Sequence, residues 1–144
     1  MKNKYENIII AVDGSKASEK AFNKSVEMAK VNNAKLILAH VIDSRTFATA
    51  EAYDKSLSER AEKYARDLMN EYVANAKEDG LENVELVIKY GSPKVAIAKE
   101  IAPEFDADLI VVGATGLNAV ERFLIGSVSE SVARYAKSDV LIVR

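Results

Sequence analysis

The 144-residue chain has no cysteine and no tryptophan, and it contains only one histidine and two prolines. Without cysteine it can form no disulfide and perform no thiol chemistry, a composition that suits a reducing cytoplasm. A metal site built on several histidines is excluded because His40 is the single imidazole. A histidine-dependent catalytic triad would likewise have to use this one residue.

Charge of one sign and long apolar runs are also scarce. The formal net charge is −2, which argues against a general nucleic-acid surface because such surfaces are usually basic. The apolar run from Ile8 to Val12 is too short for a signal sequence or a membrane span. We therefore expect one cytoplasmic globular domain over residues 1–144, with neither a nucleic-acid nor a membrane partner.

Five predicted strands alternate with four predicted helices. The strands are expected at Asn7 to Val12, Lys35 to Ile42, Val84 to Tyr90, Asp108 to Val112 and Val140 to Val143. The helices are expected at Lys16 to Val31, Ser56 to Lys77, from Pro93 until Pro103 interrupts or ends it, and Val128 to Lys137. Most strands are continuously apolar, as in a parallel sheet covered on both faces, whereas the third alternates like an edge strand. This order predicts an α/β sandwich.

Helical spacing also predicts which apolar side chains pack against the sheet. These positions include Ala21, Phe22, Tyr64, Tyr72, Val95, Ala98, Ile101, Val132, Ala133 and Ala136. The two tyrosines are interpreted as amphipathic packing rather than as a ligand cage.

Ligands of such sheets bind outside the carboxyl ends of the strands, where the strand order reverses. The segment from Asp43 to Lys55 has no clear period, and we expect a long, partly mobile connection over this edge. Together with the loop from Leu117 to Ile125, it is the predicted moving part of the protein.

The most informative motif follows the fourth strand. The run Gly113-Ala114-Thr115-Gly116 is followed, after nine intervening residues, by Gly126-Ser127-Val128-Ser129 at a predicted helix start. Glycines allow close backbone approach, and the first N–H groups of a helix are unpaired, so the motif can hold phosphates without side-chain charge. The glycines could also simply form tight turns. The chain has no Walker lysine motif, so phosphate charge would be balanced by backbone dipoles, a divalent ion, Lys16 or Arg122.

Asp13 follows the first strand directly and has two possible roles of equal weight. Its carboxylate could accept hydrogen bonds from both ribose hydroxyls, or it could cap the first helix, a role that Ser15 can also fill. His40 is interpreted as a strand-end imidazole that lines the cleft. We assign no catalytic residue, because no serine has a nucleophile-elbow pattern and Glu121 is expected to face solvent.

Together these residues resemble the ATP-binding branch of the universal stress protein family over essentially the whole chain. The family pattern is Gly, two residues, Gly, nine residues, Gly, then Ser or Thr, and Gly113, Gly116, Gly126 and Ser127 match it. The turn Asp13-Gly14-Ser15 and the strand end Ala39-His40-Val41 are further points of resemblance. Many relatives have Pro in place of Ala11 and a larger residue in place of Thr115. In this chain, Ala11 would loosen the adenine wall, and Thr115 would remove a phosphate or ribose contact.

The resemblance implies a five-stranded parallel sheet of order 3-2-1-4-5 with two helices on each face. It also implies an ATP site with Mg or Mn, although no metal ligand is assigned. Adenine would lie near Ala11, Val12 and Val41, ribose on Asp13, and the ribose and phosphates along Val112, Gly113, Thr115 and Gly116. The phosphate chain would bind Gly126, Ser127, Val128 and Ser129.

The fifth predicted strand, Val140 to Val143, would form an edge of that sheet. An uncovered apolar edge invites aggregation, and pairing two such edges in a homodimer is the family habit. The expected function is an ATP-binding regulatory or stress-response module. Alternatives are a slow ATPase or phosphotransferase at the same site, a flavodoxin-type flavin binder, and an interaction protein that binds no nucleotide.

Overall fold

The computed structural model describes residues 5–43, 55–115 and 125–144. Its five strands are β1 (Asn7–Ala11), β2 (Lys35–Asp43), β3 (Val84–Gly91), β4 (Leu109–Gly113) and β5 (Asp139–Val143). They form one sheet of order β3-β2-β1-β4-β5, and every neighbouring pair is parallel. The predicted fold and strand order are confirmed, and each strand boundary lies within one residue of its prediction.

Within the residues that the structure describes, four helices cover the sheet. They are α1 (Lys16–Asn32), α2 (Lys55–Glu78), α3 (residues 93–104) and α4 (Ser127–Tyr135). Ile8 and Ile10 of β1 pack in the apolar cluster that contains Phe22 of α1 and Met69 of α2. Ile9 points to the opposite face, into the cluster of Ile101 from α3 and Val132 from α4. The alternation of strand side chains therefore produces two cores, one on each face.

Helix α3 differs from the predicted regular helix. It begins as Pro93–Ala96, continues as a π-helical turn over Ile97–Ile101 and ends as Ala102–Glu104. Pro103 thus lies inside the last turn, and the helix ends one residue later. Because a π turn carries more residues than an α turn, it changes which positions face inward. Ile97 and Ile101 are buried, whereas Val95 is 44% exposed, contrary to the prediction.

Two other predictions of buried side chains are wrong. Tyr64 is 57% exposed, whereas Tyr72 is half-buried and its ring contacts Phe22 edge-to-face with centroids 4.6 Å apart. Ala133 is exposed because the inward stripe of α4 runs through Ser129, Val132 and Ala136. No helix in the described part of the chain is long and apolar enough to cross a membrane.

Candidate functional site

The turn after β1 presents one carboxylate at the carboxyl edge of the sheet. Ser15 is the N-cap of α1 and its Oγ accepts a hydrogen bond from Ser18 N at 3.1 Å. The backbone N–H of Ser15 in turn donates to Oδ1 of Asp13 at 2.8 Å. Within the described residues, Oδ2 of Asp13 makes no hydrogen bond. Ser15 therefore caps the helix, and Asp13 shapes the turn with one oxygen while the other is available to a ligand.

Gly14 has a backbone conformation that only glycine adopts easily. Its φ is +86°, and a Cβ at this position would lie 2.9 Å from the hydroxyl oxygen of Tyr64. Tyr64 of α2 thus covers the turn that carries Asp13. The sequence suggested a core-facing tyrosine here, and the exposed phenol beside Gly14 was not predicted.

His40 of β2 is hydrogen-bonded to the backbone at the end of β1. Its Nδ1 lies 2.7 Å from the carbonyl oxygen of Val12, and because a carbonyl can only accept, Nδ1 carries the proton. Val12 also donates its N–H to the carbonyl of Ala39 at 2.9 Å. The imidazole therefore ties the end of β1 to β2, and the half-buried Val41 follows it on β2.

The end of β4 and the start of α4 lie against each other. The N–H of Gly126 donates to the carbonyl of Ala114 at 2.6 Å. Gly126 is the N-cap of α4, and no side chain in the described part of the chain caps this helix. The N–H groups of the first helical turn are therefore available to an anion, and the positive end of the helix dipole favours one.

The two serines of this motif have different surroundings. Ser127 is exposed, whereas Ser129 is only 4% exposed. The hydroxyl of Ser129 donates to the carbonyl oxygen of Gly113. Only Ser127 therefore offers its hydroxyl to the space in front of the helix.

Gly113 has a packing role that the sequence did not predict. A Cβ there would lie 2.7 Å from the carbonyl carbon of Ala17 and 2.8 Å from its oxygen. The first turn of α1 is packed so closely on the end of β4 that no side chain fits. The structure thus explains this glycine by helix packing, without reference to a phosphate.

The strand order brings the predicted residues to one edge. β1 lies between β2 and β4, and the connections to these neighbours run in opposite directions, so the order reverses between β1 and β4. The strand ends that carry Ala11, Asp13, Val41 and Gly113 therefore meet at the position where ligands of such sheets bind. Thr115 is half-buried beside them, and Val112 is buried in the core.

Several predictions lie outside the described residues. They concern Gly116, Glu121, Arg122 and nearly all of both predicted moving parts, the segment from Asp43 to Lys55 and the loop from Leu117 to Ile125.

The inward position of Ser129 could have been predicted from the sequence, although composition alone does not reveal it. Ser129, Val132 and Ala136 are spaced by three and four residues, so an inward serine could have been read from the helical period. The contact between Gly113 and Ala17 had no such signal, because it depends on how α1 crosses the sheet.

The sequence matches the model of the Universal stress protein family over residues 4–144. A Staphylococcus aureus (strain USA300) protein that carries the family name is 51% identical over 140 residues, which cover 97% of this chain and 84% of that protein. The structure of UspA from Lactobacillus plantarum has a TM-score of 0.86 at 33% identity and covers 97% of this chain and 98% of its own.

A universal stress protein solved in complex with cAMP has a TM-score of 0.71 at 34% identity, with 97% of each chain covered. The family model thus spans nearly all of the sequence, and two solved members are similar in structure over 97% of the chain. On this evidence, the chain belongs to the universal stress protein family.

Proposed function

We propose that this protein binds ATP at the carboxyl edge of its sheet and acts in the cytoplasm as a nucleotide-dependent regulatory module of the stress response. The observation that carries the proposal is the uncapped start of α4 beside the end of β4, next to the strand that leads to Asp13. Unpaired first-turn amides suit phosphate, and a carboxylate oxygen without a protein partner suits ribose hydroxyls. The cAMP complex of a relative supports an adenine nucleotide as the ligand class.

Each part of the nucleotide has a proposed contact. Adenine would pack near Ala11 and Val12 and would read the backbone of Val41, while ribose would bind Asp13. The remaining proposed contacts for ribose and phosphates are Val112, Gly113, Thr115, Gly116, Gly126, Ser127, Val128 and the backbone N–H of Ser129. Val112 is 2% exposed, so its contribution would come from its backbone.

A divalent ion would enter this site with the nucleotide. Among the described residues, no group of three His, Asp or Glu side chains could hold a metal by itself. Mg²⁺ commonly uses one or two carboxylates together with substrate phosphates, so ATP oxygens would supply most of its ligands. Bound Mg²⁺ or Mn²⁺ would neutralise part of the triphosphate charge.

We further propose that two copies pair through β5. This strand is hydrogen-bonded to β4 and forms one edge of the sheet. Val140, Leu141, Ile142 and Val143 are all only partly buried, unlike the residues of the central strands. A second β5 would complete the ladder and cover the apolar edge.

The proposal is tested by identifying what the protein carries when it is purified. Freshly purified protein is denatured, and the released small molecules are analysed by mass spectrometry; the expected molecule is ATP. Thermal unfolding with millimolar ATP and Mg²⁺ gives a second readout, because a ligand of the native state must raise stability, by about 2.7 kcal/mol at one hundred times Kd.

The alternative functions give different results in the same experiments. An unchanged melting temperature with ATP, and no released nucleotide, would favour an interaction protein that binds no nucleotide. Robust phosphate release from ATP by the protein alone would instead favour a slow ATPase. Little phosphate release from ATP, together with a melting temperature that rises when ATP is added, would support a protein that binds ATP without hydrolysing it.

A further inference from the structure

We propose that Ser129 is a positioning residue of the nucleotide site, whose hydroxyl holds the start of α4 against β4 and does not donate to phosphate. The inference rests on the proposed ATP site and refines it. It divides the two serines of one motif into a ligand contact, Ser127, and a structural joint, Ser129.

The hydroxyl of Ser129 has no donor left for a phosphate. Serine has a single O–H donor, and that of Ser129 is directed to the carbonyl oxygen of Gly113. A phosphate oxygen at neutral pH is chiefly an acceptor, so it needs a donor that Ser129 has already used. Ser127 is exposed and its hydroxyl is not engaged within the described residues.

The start of α4 is attached at two consecutive residues, Gly113 at the end of β4 and Ala114 just after it. Ser129 bonds to the carbonyl of Gly113, and Gly126 donates its N–H to the carbonyl of Ala114 at 2.6 Å. Val132, one turn further along the helix, is buried in the same apolar cluster as Val112. Two hydrogen bonds and one apolar anchor fix both the position and the direction of the helix start.

Gly113 also connects this joint to the other half of the site. The close contact between Gly113 and Ala17 seats the first turn of α1, and the turn just before α1 carries Asp13. The phosphate-facing amides and the ribose-facing carboxylate are therefore held relative to each other through one glycine. Preorganisation of this kind raises affinity by reducing the ordering cost of binding.

Loss of the hydrogen bond between Ser129 and Gly113 should affect only the phosphate half of the site. In Ser129→Ala the first turn of α4 loses a neutral hydrogen bond, and we expect ATP affinity to fall about five- to tenfold. Adenosine lacks phosphates, so its affinity should change by less than about twofold. A general loss of structure would weaken both ligands alike.

The experiment compares Ser129→Ala with Ser127→Ala as the matched control. Hydrogen exchange of the ligand-free proteins is followed for a peptide covering residues 126–135, and calorimetry gives the Kd values of ATP and adenosine. Ser129→Ala should speed exchange in this peptide and raise the ratio of the ATP Kd to the adenosine Kd. Ser127→Ala should raise the same ratio without changing exchange. Ser129→Thr, which keeps the hydroxyl, should restore slow exchange and ATP affinity.

Two results would overturn the proposal. Exchange that is equal in wild type and Ser129→Ala would show that the joint does not hold the helix start. Faster exchange with an unchanged ATP-to-adenosine ratio would show that the joint has no bearing on phosphate. If the wild type bound neither ligand, the proposed function itself would fail, whereas a wild type that binds ATP with either result above would refute only the role of Ser129.

Discussion

The end of β4 and the first turn of α1 are in such close contact that a Cβ on Gly113 would lie 2.7 Å from the carbonyl carbon of Ala17. The obstacle is backbone, which cannot rotate away as a side chain can. Substitution of Gly113 is therefore a test of packing before it is a test of ligand binding.

We expect Gly113→Ala to lower the free energy of unfolding by about 1–3 kcal/mol, the usual cost of inserting atoms into a packed core. Gly113→Val should cost more, because it adds two further methyl groups at the same contact. Urea denaturation of the ligand-free proteins measures both. Equal stability of wild type and both variants would show that α1 can move away from β4 without cost.

Asp13 offers a cleaner test of the ligand site. In Asp13→Asn the side-chain oxygen can still accept from Ser15 N, so the turn is kept and only the charge and one acceptor are lost. We expect ATP affinity to fall about tenfold or more, since hydrogen bonds to charged groups contribute about 1.5–3 kcal/mol. Calorimetry measures the change, with Asp67→Asn on the exposed face of α2 as control. ATP affinity equal in both variants would remove Asp13 from the site.

Tyr72 makes the free energy of unfolding depend on pH in the alkaline range. Burial raises its pKa above 10.0, and the negative charges of Glu19, Glu71 and Asp13 raise it further. The folded protein therefore holds the phenol proton more tightly than the unfolded chain does, and this contribution is complete below pH 10. As the pH rises from 10 through the folded pKa, the contribution is lost.

The free energy of unfolding should consequently fall more steeply above pH 10 in wild type than in Tyr72→Phe. Within the described residues the phenol of Tyr72 makes no hydrogen bond, so the variant loses no such partner. Urea denaturation at several pH values from 9 to 11.5, roughly bracketing the tyrosine range, provides the comparison. Parallel curves for the two proteins would contradict the raised pKa.

Pairing of two β5 edges predicts a dependence on protein concentration. Amide hydrogens of Asp139–Val143 should exchange more slowly in concentrated than in dilute protein, because the dimer ladder protects them. The other edge strand, Val84–Gly91, provides an internal control and should show no such dependence. Exchange in β5 that is independent of concentration, together with a monomeric mass in sedimentation, would contradict the dimer.

The sheet was predictable from the sequence because four strands are apolar runs with clear ends and the third alternates like an edge strand. The placement of Asp13 and Gly113 at one edge was predictable too, since each lies at the carboxyl end of a strand and parallel strands end at one edge. The exposed positions of Val95 and Ala133 were not, because a π turn and a small difference in helix rotation move a side chain from core to solvent. The contact of Gly113 with Ala17 arises from tertiary packing, which no local pattern encodes, whereas the inward position of Ser129 follows from the helical period.

The central claim is that this chain holds ATP, and calorimetric titration of nucleotide-free protein with Mg-ATP tests it most directly. The account predicts saturable binding of one ATP per chain, weakened in both Asp13→Asn and Ser127→Ala. An absence of binding heat, with a melting temperature that millimolar Mg-ATP leaves unchanged, would contradict it.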